Sequence, residues 1–348
     1  MQGHDVIVVA ASAGGVEALS ALAAGLPPDL PAAVLVVMHF PAHATSMLPS
    51  ILQRHGRLPA VHAEDGAELR SGTVYVAPPN RHLVVHQGHV RLTAGPRENG
   101  HRPAADPLFR SAARSYGPRV IGVVLSGNLD DGTAGLAAVR RHGGMTVVQD
   151  PADALYPGMP LSAISNAKVH HVAPLAELPA LLVELVNTPV QEEVEAMEDT
   201  RGNGSRDDVE AEIAELDPAA LQADERPGTP SGFSCPECHG VLWELKDGEL
   251  VRYRCRVGHA YGAETLLAEQ DESVEAALWT AFQALKERGA LARRMCRRME
   301  ERGNGRSAGH FLAQADEADR RAEVIRRVLR GAADTGIEAG QTGRAAVG

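Results

Sequence analysis

A serine, a histidine and a pair of aspartates interrupt the most apolar stretches in the first half of the chain. VIVVAASAGGVEAL halts its β-branched run at Ser12 and passes through Ala13, Gly14 and Gly15. AAVLVVMH ends on His39, and VIGVVLSG runs into NLDDGTAG, which carries Asp130 and Asp131. These are the residue types of nucleophilic acyl transfer. A serine hydroxyl becomes a useful nucleophile when an imidazole takes its proton. A buried carboxylate then holds the imidazole in one tautomer and stabilises its cation. The Ala13-Gly14-Gly15 turn opens a helix, whose free backbone N–H groups suit a developing oxyanion. The same turn also suits a phosphate cradle or a plain tight connection. The G-x-G-x-x-G fingerprint and the G-x-S-x-G elbow are both absent.

A second constellation lies far downstream. Cys235 and Cys238 form C-x2-C, sixteen residues follow, and Cys255 and His259 form C-x3-H. Three thiolates and an imidazole suit a closed tetrahedral Zn²⁺ site, with His239 as an alternative fourth ligand. VLWEL and ELVRYRC flank Lys246-Asp247-Gly248, a hairpin turn, so the segment reads as a zinc ribbon whose folding draws on its metal. Cys296 stands apart, on a helix face among arginines. RRMCRRMEER and RRAEVIRR interleave their arginines with acids, the pattern of a solvated face rather than a nucleic-acid patch.

The elements that must position the first set alternate strand and helix. DVIVVA, AAVLVVMH, GTVYVAP, RVIGVVLSG and MTVVQD read as strands; VEALSALAAGL, ATSMLPSILQRHG and TAGLAAVRRHG read as helices. This rhythm predicts an α/β fold, a three-layer α/β/α sandwich with a mostly parallel sheet. In such sheets ligand sites gather at the carboxyl ends of strands, where Ser12, His39 and the aspartates fall. HLVVHQGHVRLT reads as an antiparallel hairpin on that sheet. Asp106-Pro107 reads as an N-cap followed by a first-turn proline. Arg102 and Arg110 read either as solvated or as facing an acidic partner.

The expected organisation is a catalytic domain over 1–190, an acidic flexible linker over 191–231, the zinc-ribbon-like module over 232–262, a helical hairpin over 263–333 and a disordered tail over 334–348. VEAEIAEL offers a short helix within the linker. Val274, Leu278, Phe282 and Leu285 recur at helical spacing and predict a face that packs the hairpin or a partner helix. Hydrophobic residues make up 44% and aromatics only 3%, which fits an aliphatic core between covered sheet faces. The formal charge is −11, yet residues 191–230 hold thirteen acids against three arginines. The remainder is near neutral, which argues against nucleic acid as partner. No apolar run has the length of a membrane span and no secretory signal opens the chain, so a cytoplasmic protein with no membrane insertion is expected.

Six blocks occur in order: ASAGGVEAL, VVMHFPAHATSMLPSIL, AEDGAELRSGTVYVAPPNRHL, RPAADPLFRSAA, VVLSGNLDDGTAGL and PGMPLSAI. Over roughly Val6 to Val186 they resemble the catalytic domain of the CheB-type chemotaxis protein-glutamate methylesterases. The resemblance implies a serine hydrolase that removes methyl esters from glutamate side chains on the cytoplasmic helices of chemoreceptors. Many members also deamidate glutamine, and other chemosensory proteins are possible partners. By position, Ser12 matches the nucleophile, His39 the histidine, and Asp131, directly before Gly132, the aspartate. No cofactor is implied for catalysis; a structural zinc is expected only in the C-terminal module. Ala13 stands where the family often has Thr. The family's G-M-G-x-D-G reads G-N-L-D-D-G, so Asn128 replaces a Met associated with the oxyanion site and Asp130 fills the variable position. The chain opens at the catalytic strand, so control by a receiver domain in cis is not expected. These departures and the long extension leave a docking module with weak or no turnover as the alternative.

Overall fold

The structure is a computed structural model and describes residues 3–190, 200–222 and 227–339. The chain forms two units, Met1–Leu267 and Ala268–Gly348. In the first, β1 (Val6–Ala11), α1 (Gly15–Gly25), β2 (Ala33–Met38), α2 (Leu48–His55), β3 (Ala60–His62) and β4 (Val74–Val76) are followed by the hairpin β5 (His82–His86) and β6 (His89–Thr93). Next come α3 (Ala105–Tyr116), β7 (Val120–Val124), α4 (Thr133–Arg141), β8 (Met145–Gln149), α5 (Gly158–Ala167), β9 (His171–Ala173) and α6 (Leu178–Asn187).

Seven strands make one sheet in the order β3-β4-β2-β1-β7-β8-β9, with every pairing parallel. All six residues of β1 are buried because both sheet faces are covered. Ile7, Val9 and Ala11 share a core with α1, α2 and α6, whereas Val6, Val8 and Ala10 share one with α3, α4 and α5. Successive strand residues point to opposite faces, so one strand supplies both cores. This is the three-layer sandwich expected from the sequence. Because β1 lies between β2 and β7, the carboxyl ends of these three strands are neighbours.

The β5–β6 hairpin departs from its expected place. It forms a separate two-stranded sheet rather than extending the parallel one. Serines of α3 bind its backbone instead: Ser111 Oγ accepts from Val85 N–H at 3.0 Å and Ser115 Oγ donates to Val85 O at 2.8 Å.

The stretch read as a flexible linker also differs. It contains α7 (Thr200–Ala214), α8 (Pro218–Gln222) and the start of β10 (Thr229–Ser234), while 191–199 and 223–226 lie outside the described residues. Ala211, Ile213 and Ala214 of α7 are buried. The acids of this stretch find partners elsewhere in the fold: Asp207 with Arg141 at 2.8 Å, Glu210 with Arg252 at 2.9 Å and, just past the helix, Glu215 with the His86 ring at 3.0 Å. Composition marks these acids as solvating; the tertiary partners reverse that.

β10, β11 (Val241–Asp247), β12 (Leu250–Cys255) and β13 (Ala260–Gly262) form an antiparallel four-stranded sheet, turning at Gly248 with φ 61°. Then α9 (Ala263–Glu301) begins, and its body belongs to the second unit with α10 (Gly305–Ala339). There Ala292, Cys296, Ala308, Ala315, Ala318 and Ala322 are buried, and Asp319 pairs with Arg293 and Lys286 across the hairpin. Small side chains line this seam and let the helices approach closely. The stripe expected to pack the hairpin does so only in part: Val274 is 59% exposed, whereas Leu278, Phe282 and Leu285 are half-buried. The last turns of α10 reach into the tail expected to be disordered, and 340–348 lie outside the described residues.

Candidate active site

Ser12 is the first residue beyond β1. Its N–H donates to Ser126 O at 3.0 Å, and Gly15 N–H donates to Ser12 O at 2.9 Å, closing the turn. Gly14 has φ 70°, a left-handed setting that suits glycine, and a Cβ there would meet Ser126 Oγ at 2.8 Å. A Cβ on Gly127 would meet the Ser12 Cβ at 2.9 Å and collide with the Met159 sulfur. Ser126 Oγ donates to Ala13 O at 2.8 Å and accepts from Tyr156 N–H at 3.0 Å, pinning the turn from behind. Among the described residues, no acceptor meets the Ala13 or Gly14 N–H. The N–H of Gly15 is engaged within the turn, so of the three residues anticipated for an oxyanion only the first two have donors free. Asn128 is exposed, between Gly127 and Leu129, whose φ is 63°.

His39 follows β2 and joins the other two groups. Its Nδ1 lies 3.0 Å from Ser12 Oγ and its Nε2 2.6 Å from Asp131 Oδ2. A carboxylate only accepts, so Nε2 carries the proton and Nδ1 is left to receive the one from Ser12 Oγ. Asp131 is 2% exposed. Burial pushes its carboxyl up, but hydrogen bonds from His39, from Ala105 N–H at 2.7 Å and from Asn99 Nδ2 at 2.8 Å outweigh this and hold it well below the usual carboxylate range. The anion is therefore fixed in place against the imidazole.

The two neighbouring aspartates have other work. Asp130 turns away, accepting from Glu264 N–H at 3.2 Å and from the Thr265 hydroxyl at the first turn of α9. Burial pushes it up to about 6. Asp106 does not cap its own helix, which starts at Ala105 after Ala104. Instead it accepts from Gly135 N–H at 2.7 Å in the first turn of α4, and from Asn99 Nδ2 at 3.0 Å. Burial and the nearby Asp131 anion push Asp106 up to about 7.

A cavity of about 350 Å³ opens beside His39, lined by Phe40, Pro41, Arg97, His101 and Arg102. The His101 ring stacks on His39 with centroids 3.7 Å apart and planes 17° apart. Burial and the adjacent His39 lower His101 to about 4, so at neutral pH it covers the imidazole without adding charge. Arg102 is held by Asn80 Oδ1 and by the carbonyls of Ala94 and Gly95. Arg110 is fully buried, with Nη2 2.6 Å from Glu98 Oε2, and faces no partner surface.

The second constellation also converges. The donor atoms of Cys235, Cys238, Cys255 and His259 all lie within 4.8 Å of one another, and this cluster can hold a metal ion. The Cys238–Cys255 sulfurs are 3.5 Å apart, and His259 Nδ1 lies 3.7 and 3.6 Å from the sulfurs of Cys235 and Cys255. Such spacings are those of ligands about 2–2.3 Å from one central ion. His259 Nε2 faces Glu237 Oε2 at 3.2 Å, the carboxylate–histidine pairing that orients a metal ligand. His239, the alternative ligand, is not in the cluster.

Asn99, His101, Ser126 and Asp106 shape this site without having been singled out for it from sequence. Each lies inside or beside one of the six ordered blocks, and only the tertiary fold reveals which atom each one holds.

The CheB methylesterase family model matches residues 7–182. A protein-glutamate methylesterase/protein-glutamine glutaminase of Anaeromyxobacter dehalogenans is 42% identical over 181 residues, 52% of this chain and 53% of its own length. A Leptospira interrogans relative named for the same two activities is 36% identical over 52% of this chain and 95% of its own length. The Thermotoga maritima CheB methylesterase catalytic domain is 34% identical, with a TM-score of 0.51 over 53% of this chain and all of that one. The match spans about half the length of the Anaeromyxobacter relative, and the ribbon and helical hairpin lie beyond it. With this fold, and with the family model matched over half of the chain, a span that holds Ser12, His39 and Asp131, the chain belongs to the CheB methylesterase family.

Proposed function

We propose that the protein is a protein-glutamate methylesterase acting on methylated chemoreceptor helices in the cytoplasm, with glutamine deamidation as the parallel reaction. The observation that carries this is the unbroken hydrogen-bonded chain from Ser12 Oγ through His39 to Asp131. Ser12 Oγ attacks the ester carbonyl carbon while His39 Nδ1 takes its proton. The Ala13 and Gly14 N–H groups, with the backbone at Asn128, receive the oxyanion. As the tetrahedral intermediate collapses, the bond to methoxide breaks and His39 returns the proton, releasing methanol. Water, deprotonated by His39, then attacks the acyl carbon, the bond to Ser12 Oγ breaks, His39 returns the proton to that oxygen, and the freed glutamic acid ionises to its carboxylate. Asp131 orients His39 and stabilises its cation throughout. A glutamine side chain would follow the same path with ammonia as the leaving group. The ordered, desolvated triad favours turnover over a docking role.

No cofactor enters this chemistry. The Cys3His cluster is read as a structural Zn²⁺ site, on its donor set and on the carboxylate behind His259. The full chain is expected to release methanol from a methylated receptor cytoplasmic domain, and Ser12→Ala to abolish release. An undiminished rate in Ser12→Ala would overturn the mechanism.

A further inference from the structure

The buried polar groups that support Asp131 also meet the C-terminal part of the first unit. Asn99 is 4% exposed and sits at φ 51°, a left-handed setting that asparagine tolerates. Its Nδ2 donates to Asp131 Oδ1 at 2.8 Å and to Asp106 Oδ2 at 3.0 Å. Its Oδ1 accepts from Gly262 N–H at 2.8 Å, and its own N–H donates to Ala260 O at 2.7 Å. Ala260 N–H in turn donates to Arg97 O at 3.2 Å. Both partners belong to β13, which starts one residue after His259. Beside this contact, Glu98 pairs with Arg110 at 2.6 Å and with Arg254 of β12 at 3.0 Å, all three buried.

An amide side chain has one end that donates and one that accepts. The two carboxylates demand the donor end, but they demand it only while Asn99 stays at their distance. The Gly262 N–H demands the acceptor end opposite, and the Ala260 carbonyl fixes the backbone that carries it. Without β13, Asn99 is free to rotate or retreat. Asp131 Oδ1 would then keep only the long 3.4 Å contact from Asp106 N–H. A loosened carboxylate lets the imidazole drift, and misplacement on the order of 1 Å costs about 100-fold in rate.

We propose that the metal-holding ribbon is a working part of the esterase: metal at Cys235, Cys238, Cys255 and His259 orders β13, β13 fixes Asn99, and Asn99 positions Asp131. Asn99 is thus a positioning residue whose setting follows metal occupancy. This rests on the esterase reading above.

The test uses the full chain and Zn²⁺, removed by a chelator and then restored. Four readouts are followed: zinc content, amide hydrogen exchange, the low-field proton resonance of His39 Nε2–H, and kcat with KM. Zinc loss is expected to expose the Asn99 and Gly262 amides, to shift or broaden the His39 resonance, and to lower kcat ~10–100-fold with KM little changed. Amides of the central strand β1 should stay protected, and added zinc should restore every signal. Asn99→Ala should show the lowered kcat and altered resonance with zinc bound, and chelation should change it little further. An unchanged resonance and kcat after complete zinc loss would overturn the proposal, as would an Asn99→Ala enzyme equal to wild type. Should chelation also unfold β1, Asn99→Ala at full zinc content decides alone. If even the zinc-loaded wild type releases no methanol, the esterase reading fails, and the resonance and exchange data still decide the coupling.

Discussion

His101 offers a clean reading of how one side chain tunes another. Its ring lies flat on His39, and burial keeps it neutral down to about pH 4. In the unfolded chain a histidine binds its proton near 6.5. Above that value both states are neutral and His101 contributes no pH dependence. As pH falls from 6.5 towards 4 the unfolded state gains a proton that the folded state refuses, so stability drops across that window, by up to ~3 kcal/mol. His101→Phe keeps an aromatic face over His39 and removes the titration. Urea unfolding at pH 7.5 and pH 5 should give a smaller acid loss in the variant than in wild type. His4 and His170 shift in the same direction but remain in both proteins, so the difference isolates His101. Equal acid losses would refute the assignment. At this scale the sequence was legible where an apolar run ends on a polar residue, as at Ser12 and His39. It was silent on Asn99 and Ser126, which act through an amide and a hydroxyl inside loops, where no periodicity or spacing marks them.

Among the elements, the strands of the parallel sheet announce themselves because both faces are buried and their runs are nearly all apolar. The short edge strands β3 and β9 do not: Val61 and Val172 are exposed, and three residues carry too little pattern to read. The acidic stretch holding α7 misleads for a different reason. Charge balance within a segment says nothing of the cations that the fold brings from residues 141 and 252. Glu210 faces three arginines, with Arg252 at 2.9 Å, Arg110 at 3.5 Å and Arg254 at 3.6 Å, and all four side chains are buried. The arginines hold its carboxyl far below the ordinary range despite burial. Glu210→Ala would leave Arg110 and Arg254 with Glu98 and would take from buried Arg252 the carboxylate 2.9 Å away. Loss of about 3–5 kcal/mol is expected, read as a lower midpoint in urea. A midpoint within error of wild type would mean that the ion pairs of Glu210 contribute nothing to stability.

For the first unit as a whole, the boundary drawn from sequence between a catalytic domain and a tethered module does not survive the contacts. α7, the ribbon and the start of α9 are joined to the catalytic fold through Glu98, Asn99, Arg110 and Asp130, all buried. Composition separated these parts because each is locally distinct, and only the folded chain shows their polar groups completing one another. Asp130 carries a consequence for lineage. Its carboxylate binds the first turn of α9 through Glu264 N–H and Thr265, and Gly262 passes so close that a Cβ there would strike it. A family member with no helix start at that place would leave an acid at position 130 without these donors. An acid at position 130, a hydroxyl at 265 and a glycine at 262 are therefore expected to be gained and lost together in descent. An alignment of family members with and without the ribbon tests this directly. Acids at position 130 scattered evenly across both groups would show that the three residues have separate histories.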